Sequence, residues 1–187
     1  MIDHPEKSEQ ELIELCQKKD GHAFDRLMRH YRIPLFHFLV RSCGDKELAE
    51  DLFQDTLIKV WRFLPGYKGR SAFSSWLFSV AHNVVRDALR RQKVRANISF
   101  RETVPDQAMA HTPADEVVAD ETRQLVEQAL QALPEKQRQV FLLRQHSGMA
   151  FKEIAKVTGE PLNTVLSHMR YAVAKLKKCL RDDDLII

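Results

Sequence analysis

Apolar residues recur every three or four positions along most of this 187-residue chain, the spacing of helices that bury one face. Leu12, Leu15 and Cys16 predict a helix over Glu11–Gln17, and Asp20-Gly21 breaks the chain before a second over Ala23–Arg32. Pro34 suits the start of a third helix, with Leu35, Phe36, Leu39 and Val40 on its inner face and Cys43-Gly44-Asp45 at its end. Leu48, Leu52, Phe53, Leu57, Val60 and Trp61 then keep helical spacing as far as Leu64-Pro65-Gly66. A further helix follows the loop Tyr67–Ser71, beginning near Ala72 or Ser74 and ending at Arg95. There the period lapses: Ala96–Pro113 carries Pro105, Pro113 and small or polar residues, and reads as a linker. Helical spacing resumes over Asp115–Leu133, Glu135–Gln145, Phe151–Thr158 and Asn163–Leu180, the last with Val165, Met169, Ala172, Val173 and Leu176 inward. The expected fold is all-α, with two small helical domains over residues 1–95 and 115–187 joined by a flexible linker over 96–114.

Charge adds a second pattern. A net charge of +3 is too small to imply a nucleic-acid partner, but the charges are segregated. Arg86, Arg90, Arg91, Lys93 and Arg95 face one acid, Asp87, whereas between residues 96 and 120 Arg101 stands against Glu102, Asp106, Asp115, Glu116 and Asp120. Basic character returns with Arg170, Lys175, Lys177, Lys178 and Arg181. Two basic regions thus flank an acidic connector.

Several function classes drop out. No apolar run approaches the roughly 18 residues of a spanning helix, and the polar start Met1–Glu14 lacks the features of a signal peptide, so a cytosolic chain without membrane insertion is expected. Cys16, Cys43 and Cys179 are odd in number and widely spaced, which suggests neither a disulfide framework nor a zinc ribbon. The histidines form no ligand-spaced cluster, and there is no nucleophile elbow, phosphate-cradling glycine loop or paired-carboxylate setting. No catalytic residue, metal or cofactor is expected.

Three constellations remain. Tyr67, Phe73, Trp76 and Phe78 precede the basic helix, an arrangement able to stack unpaired bases on rings while Lys and Arg neutralise phosphates; rings at helical spacing are, however, more often core. Glu50, Asp51, Gln54 and Asp55 make an acidic helical face that repels DNA and suits Arg or Lys on a protein partner, or is simply solvated. Finally, Phe151–Thr158, the turn Gly159-Glu160-Pro161 and the basic helix after it form a helix-turn-helix signature. Its second helix would bring Asn163, Thr164, Ser167, His168 and Arg170 to base edges, with Lys152, Lys175, Lys177 and Lys178 at phosphates.

The strings Ala49-Glu50-Asp51-Leu52-Phe53-Gln54-Asp55-Thr56, Val60-Trp61 and Phe73-Ser74-Ser75-Trp76-Leu77-Phe78-Ser79-Val80-Ala81-His82-Asn83 resemble region two of bacterial RNA polymerase sigma factors. Leu133-Pro134-Glu135-Lys136-Gln137-Arg138-Gln139-Val140-Phe141 and Phe151-Lys152-Glu153-Ile154-Ala155 resemble region four, in the family's order. With only these two regions the chain is similar to the extracytoplasmic-function group. The resemblance implies a factor that binds core RNA polymerase, reads the −35 and −10 promoter elements and helps to melt the second, while the polymerase does the chemistry. It implies that Glu50, Asp51, Gln54 and Asp55 dock on the clamp helices of the largest catalytic subunit, that region four meets the flap region, and that an anti-sigma factor regulates the chain. It assigns Tyr67, Lys68, Arg70, Ser71, Phe73 and Asn83 to capture of a flipped base, with Trp76 mainly in the core, and Arg86, Arg90 and Arg91 to the −10 duplex. Lys68-Gly69-Arg70 is more basic than the usual family loop, and the acidic tail from Asp182 to Ile187 has no assigned role. The competing expectation is a conventional helix-turn-helix regulator whose first half binds a protein or ligand.

Overall fold

The computed structural model describes residues 7–99 and 117–182. Among them are eight α-helices and one 3-10 turn, and no strand. The first unit comprises α1 (Glu9–Gln17), α2 (Gly21–Cys43), α3 (Lys46–Phe63), the 3-10 turn Leu64–Gly66 and α4 (Phe73–Ser99). Its helix starts are set by short polar side chains that accept otherwise unpaired backbone N–H groups. Ser8 and Glu11 form a capping box on α1, Asp20 accepts from the Ala23 amide, and Asp45 accepts from the Leu48 amide. Gly44, in the left-handed region at φ 76°, ends α2 and lets the chain reverse into α3.

Two expectations need correction. Pro34 does not begin a new helix; α2 runs through it from Gly21 to Cys43. The proline removes one backbone hydrogen bond, but Leu27, Met28, Leu35, Phe38, Leu39 and Ser42 share one buried face across it. Burial of that continuous stripe outweighs the lost bond. Likewise α4 continues past Arg95 through Ser99, because nothing between them breaks a helix and the first proline is Pro105. The rest of the expected linker, and the tail after Asp182, lie outside the described residues.

The second unit comprises α5 (Val117–Gln131), α6 (Glu135–Ser147), α7 (Phe151–Thr158) and α8 (Leu162–Asp182). Gly148 at φ 69° ends α6 and Gly159 at φ 73° ends α7. Leu130, Leu133, Val140, Leu142, Leu143, Met149, Ile154, Val165, Ala172 and Leu176 form its interior.

The two units pack directly on one another, α2 and α4 against α5 and α6. Arg41 pairs with Glu127 at 2.7 Å and Lys93 with Glu135 at 2.5 Å. Arg138 donates to Gln131 Oε1 at 2.9 Å and to the Ser42 carbonyl at 3.3 Å, and the Gln131 amide donates to the Arg41 carbonyl at 3.1 Å. His82 Nδ1 meets Gln139 Oε1 at 3.3 Å, and Ser74 donates to the Ser147 carbonyl at 3.3 Å.

Candidate partner and nucleic-acid interfaces

Helix α3 buries Ala49, Leu52, Thr56 and Val60, which turns Glu50, Asp51, Gln54 and Asp55 together toward solvent. Thr56 sits in the core without cost because its hydroxyl donates to the Leu52 carbonyl at 2.7 Å. The acidic face continues into apolar surface, Ile58 being 65% and Phe63 54% exposed. Across a groove from Asp45, Asp51 and Asp55 stand Arg91, Gln92 and Arg95 of α4. One edge of the unit therefore carries an acidic wall facing a basic wall.

The loop after the 3-10 turn is closed by its own hydrogen bonds. Tyr67 donates its hydroxyl to the Ser71 carbonyl at 2.5 Å and its amide to the Leu64 carbonyl at 3.0 Å, while Gln17 donates to the Tyr67 carbonyl at 2.7 Å. Gly69, at φ 64°, gives the turn between the exposed Lys68 and Arg70, and Ser71 is partly buried. The Tyr67 ring stands 5.8 Å from Phe73 and 5.3 Å from Trp76, and Phe73 is 5.3 Å from Tyr31, which donates to Glu9. Burial, with the Glu9 carboxylate adding to it, raises the pKa of the Tyr67 hydroxyl and keeps it neutral.

Phe73 is a correction: it is 1% exposed and supports Tyr67 and Trp76 from beneath, so no base reaches it. Trp76 is partly buried in the same ring cluster, in keeping with a packing role. On α4 the partly buried Asn83 precedes the exposed Arg86, Arg90 and Arg91. Arg86 and Arg90 share Asp87 at 3.6 and 4.0 Å, exposed contacts too loose to commit either guanidinium.

In the helix-turn-helix, the Gly159 and Glu160 amides both donate to the Ala155 carbonyl, a compact helix end that aims α8 away from α7. Asn163, Arg170 and Lys152 are exposed, and Thr164 and Ser167 are partly so. Two residues expected on this face are engaged elsewhere. His168 lies 3.2 Å from the Glu160 carboxylate, which also holds Lys136 at 2.8 Å. Lys175 donates to the Ala132 carbonyl at 2.6 Å, capping the end of α5. Among the described residues no group of three histidines, cysteines or carboxylates could hold a metal, and no helix is long and apolar enough to cross a membrane.

Residues 27–95 match the model of Sigma-70 region 2, and residues 123–176 match that of Sigma-70, region 4. The chain is 30% identical over 184 residues to the RNA polymerase sigma-H factor of Pseudomonas aeruginosa, covering 94% of this chain and 95% of that protein. It belongs to the bacterial RNA polymerase sigma factors. Similarity to the ECF sigma-E factor of Escherichia coli K12, 28% over 170 residues with 87% of this chain and 88% of that one covered, places it in the extracytoplasmic-function group. The fold agrees with the sigma factor RpoE of Bartonella quintana, solved with the anti-sigma factor NepR, at a TM-score of 0.68, 23% identity and coverage of 84% and 96%. It agrees also with CnrH, solved with the cytosolic domain of CnrY, at a TM-score of 0.63, 24% identity and coverage of 92% and 96%. As a sigma factor the chain binds core polymerase and directs promoter-specific initiation. A conventional regulator would not carry region 2 across α2, α3 and α4.

Sequence reasoning missed the seam between the units. Arg138 and Gln139 stand inside a quoted region-four string and His82 inside a region-two string, but no periodicity shows that one packs on the other. Nor does composition separate Lys175, which caps α5, from Lys152, which is exposed.

Proposed function

We propose that Glu50, Asp51, Gln54 and Asp55 dock the first unit on a basic helical surface of core polymerase, the clamp helices, with Ile58 and Phe63 adding apolar contact. The observation that carries this reading is the opposition of an acidic wall on α3 to a basic wall on α4, in the unit that matches region 2. The partner protein and the −10 duplex can then lie side by side. The loop with Tyr67, Lys68, Arg70 and Ser71, backed by Asn83, accepts an extruded base, and Arg86, Arg90 and Arg91 hold neighbouring phosphates. Opening a duplex costs roughly 1.4 kcal/mol per stacking step, of which a stacking pocket returns part. Melting thus needs core binding and duplex anchoring to act together with base capture.

Asn163, Thr164, Ser167 and Arg170 read the −35 element while Lys152 meets a phosphate, and region 4 also contacts the flap region. With α4 kept whole, the working boundaries are residues 1–99, 100–114 and 115–187. An anti-sigma factor holds the chain in reserve, as NepR and the CnrY domain occupy the sigma factors they were solved with. The factor works in the cytoplasm, on the nucleoid when bound to polymerase, and leaves catalysis to it.

The deciding experiment mixes the purified chain with core polymerase and a promoter recovered from cells that overexpress it. Run-off transcript is expected only when both proteins are present. Transcription that instead requires another sigma factor would refute the proposal.

A further inference from the structure

Promoter elements named −35 and −10 are separated by about 25 base pairs, roughly 85 Å at 3.4 Å per pair. Two touching domains of this size place their centres on the order of 30 Å apart. The packed arrangement therefore cannot hold both elements. It also crowds part of the −10 surface: the exposed Arg86 shares a cavity of about 290 Å³ with His82, Gln139 and the helix-turn-helix turn at Thr158, Gly159 and Glu160. A duplex laid along α4 would meet that turn.

The centre of the seam is a histidine between two rings. His146 of α6 sits edge-on to Phe38 of α2 and stacked on Phe78 of α4, both at 5.9 Å. Its Nε2 has no hydrogen-bond partner among the described residues. From α2, Arg41 and His37 face it; from α4 it meets the Phe78 ring, with His82 farther along the seam facing Gln139, Arg86 and Glu135.

We propose that opening this closed arrangement takes up a proton from solvent at His146. An imidazolium between two phenyl rings would have an unpaired N–H and a guanidinium beside it, so the charged ring is favoured only when the units part.

The sign follows. Burial, then Arg41 and His37, push the His146 pKa down from 6.5 to about 4 in the closed state. The closed state binds fewer protons, so its advantage is intact at neutral pH and declines as pH falls from about 6.5 toward 4. Between pH 7.5 and 5.5 the ratio of open to closed chains should rise about tenfold. Burial lowers the His82 pKa as well, which adds a response of the same sign.

The crowding of the −10 surface at Arg86 rests on the promoter reading above, but the closed state and its proton do not, so the test omits DNA and polymerase. Dyes are placed on Glu14→Cys and Lys156→Cys, exposed positions of the two units, in a chain with Cys16→Ala, Cys43→Ser and Cys179→Ala. Glu127→Ala in every chain removes the Arg41 ion pair and brings the open population into range. Single-molecule energy transfer should show the low-transfer to high-transfer ratio rising at least about tenfold from pH 7.5 to 5.5. His146→Leu, and independently His146→Gln, should each remove about tenfold of that rise, leaving only what His82 supplies. An equal rise in both variants, or no rise in the histidine-bearing chain, overturns the proposal. Failure of the transcription assay would instead sink the promoter reading and leave this one standing.

Discussion

The first unit buries Phe38, Phe73 and Phe78 completely, whereas the phenylalanines of the second, Phe141 and Phe151, are only partly covered. The second unit builds its interior from Leu, Val, Met and Ala, and lays His146 on the rings of the first. The difference fits their tasks. A unit that helps separate strands needs a rigid platform, while one that reads an intact duplex needs only a helix aimed correctly. It also predicts unequal dependence: the second unit leans on the first more than the reverse.

Phe38→Ala tests that inequality with the largest effect. Phe38 is fully buried and touches both Phe78 and His146, so its loss should cost about 3–5 kcal/mol in the first unit and loosen the second as well. Leu143→Ala should cost about 2–5 kcal/mol in the second unit and leave the first largely intact. Urea unfolding followed by amide exchange in each unit separates the two. If Phe38→Ala leaves exchange in α6 and α7 unchanged, the dependence is not there.

Asp51→Arg asks whether the acidic wall of α3 is the docking face. Reversing one charge at a complementary interface costs about 2–5 kcal/mol, so retention of the chain on immobilised core polymerase should fall by 30-fold or more. Binding of an isolated −35 duplex should not change. Normal retention would move the docking site elsewhere.

What could be read beforehand divides along the same line. Periodicity placed every helix of the described residues, because each buries one stripe. It misjudged Pro34, since a single missing hydrogen bond looks decisive until the burial of Leu27, Met28, Leu35 and Phe38 on one face is weighed against it. The acidic face and the recognition helix were legible as exposed charge. Phe73 and Tyr67 were not separable, since both are aromatic and near the loop, and only packing shows one under the other. The seam was invisible because its contacts join residues such as Arg41 and Glu127, or His82 and Gln139, far apart in the chain and of types ordinarily solvated.

Tyr67 has two parts that can be pulled apart. Its hydroxyl closes the loop on Ser71 and its ring packs on Phe73 and Trp76. Tyr67→Ala should weaken open-complex formation by about 1–3 kcal/mol while closed complexes still form, and Tyr67→Phe, which keeps the ring, should recover most of that loss. Permanganate reactivity of promoter thymines reads the melted state. If both variants melt as well as the parent, Tyr67 has no part in base capture.

The smallest effect separates two lysines that look alike in sequence. Lys152 is exposed at the start of α7, whereas Lys175 already donates to the Ala132 carbonyl at the end of α5. A lysine that neutralises one phosphate contributes about 0.9 to the slope of log affinity against log salt, because its counterion is released on binding. Lys152→Ala should therefore flatten the slope for a −35 duplex by about that amount. Lys175→Ala should leave the slope nearly unchanged and lower the unfolding midpoint of the second unit, since what it removes is a helix cap of about 0.5–1.5 kcal/mol. Equal slopes for the two variants would mean that Lys175 leaves its cap to meet the DNA, and that the second unit rearranges on binding.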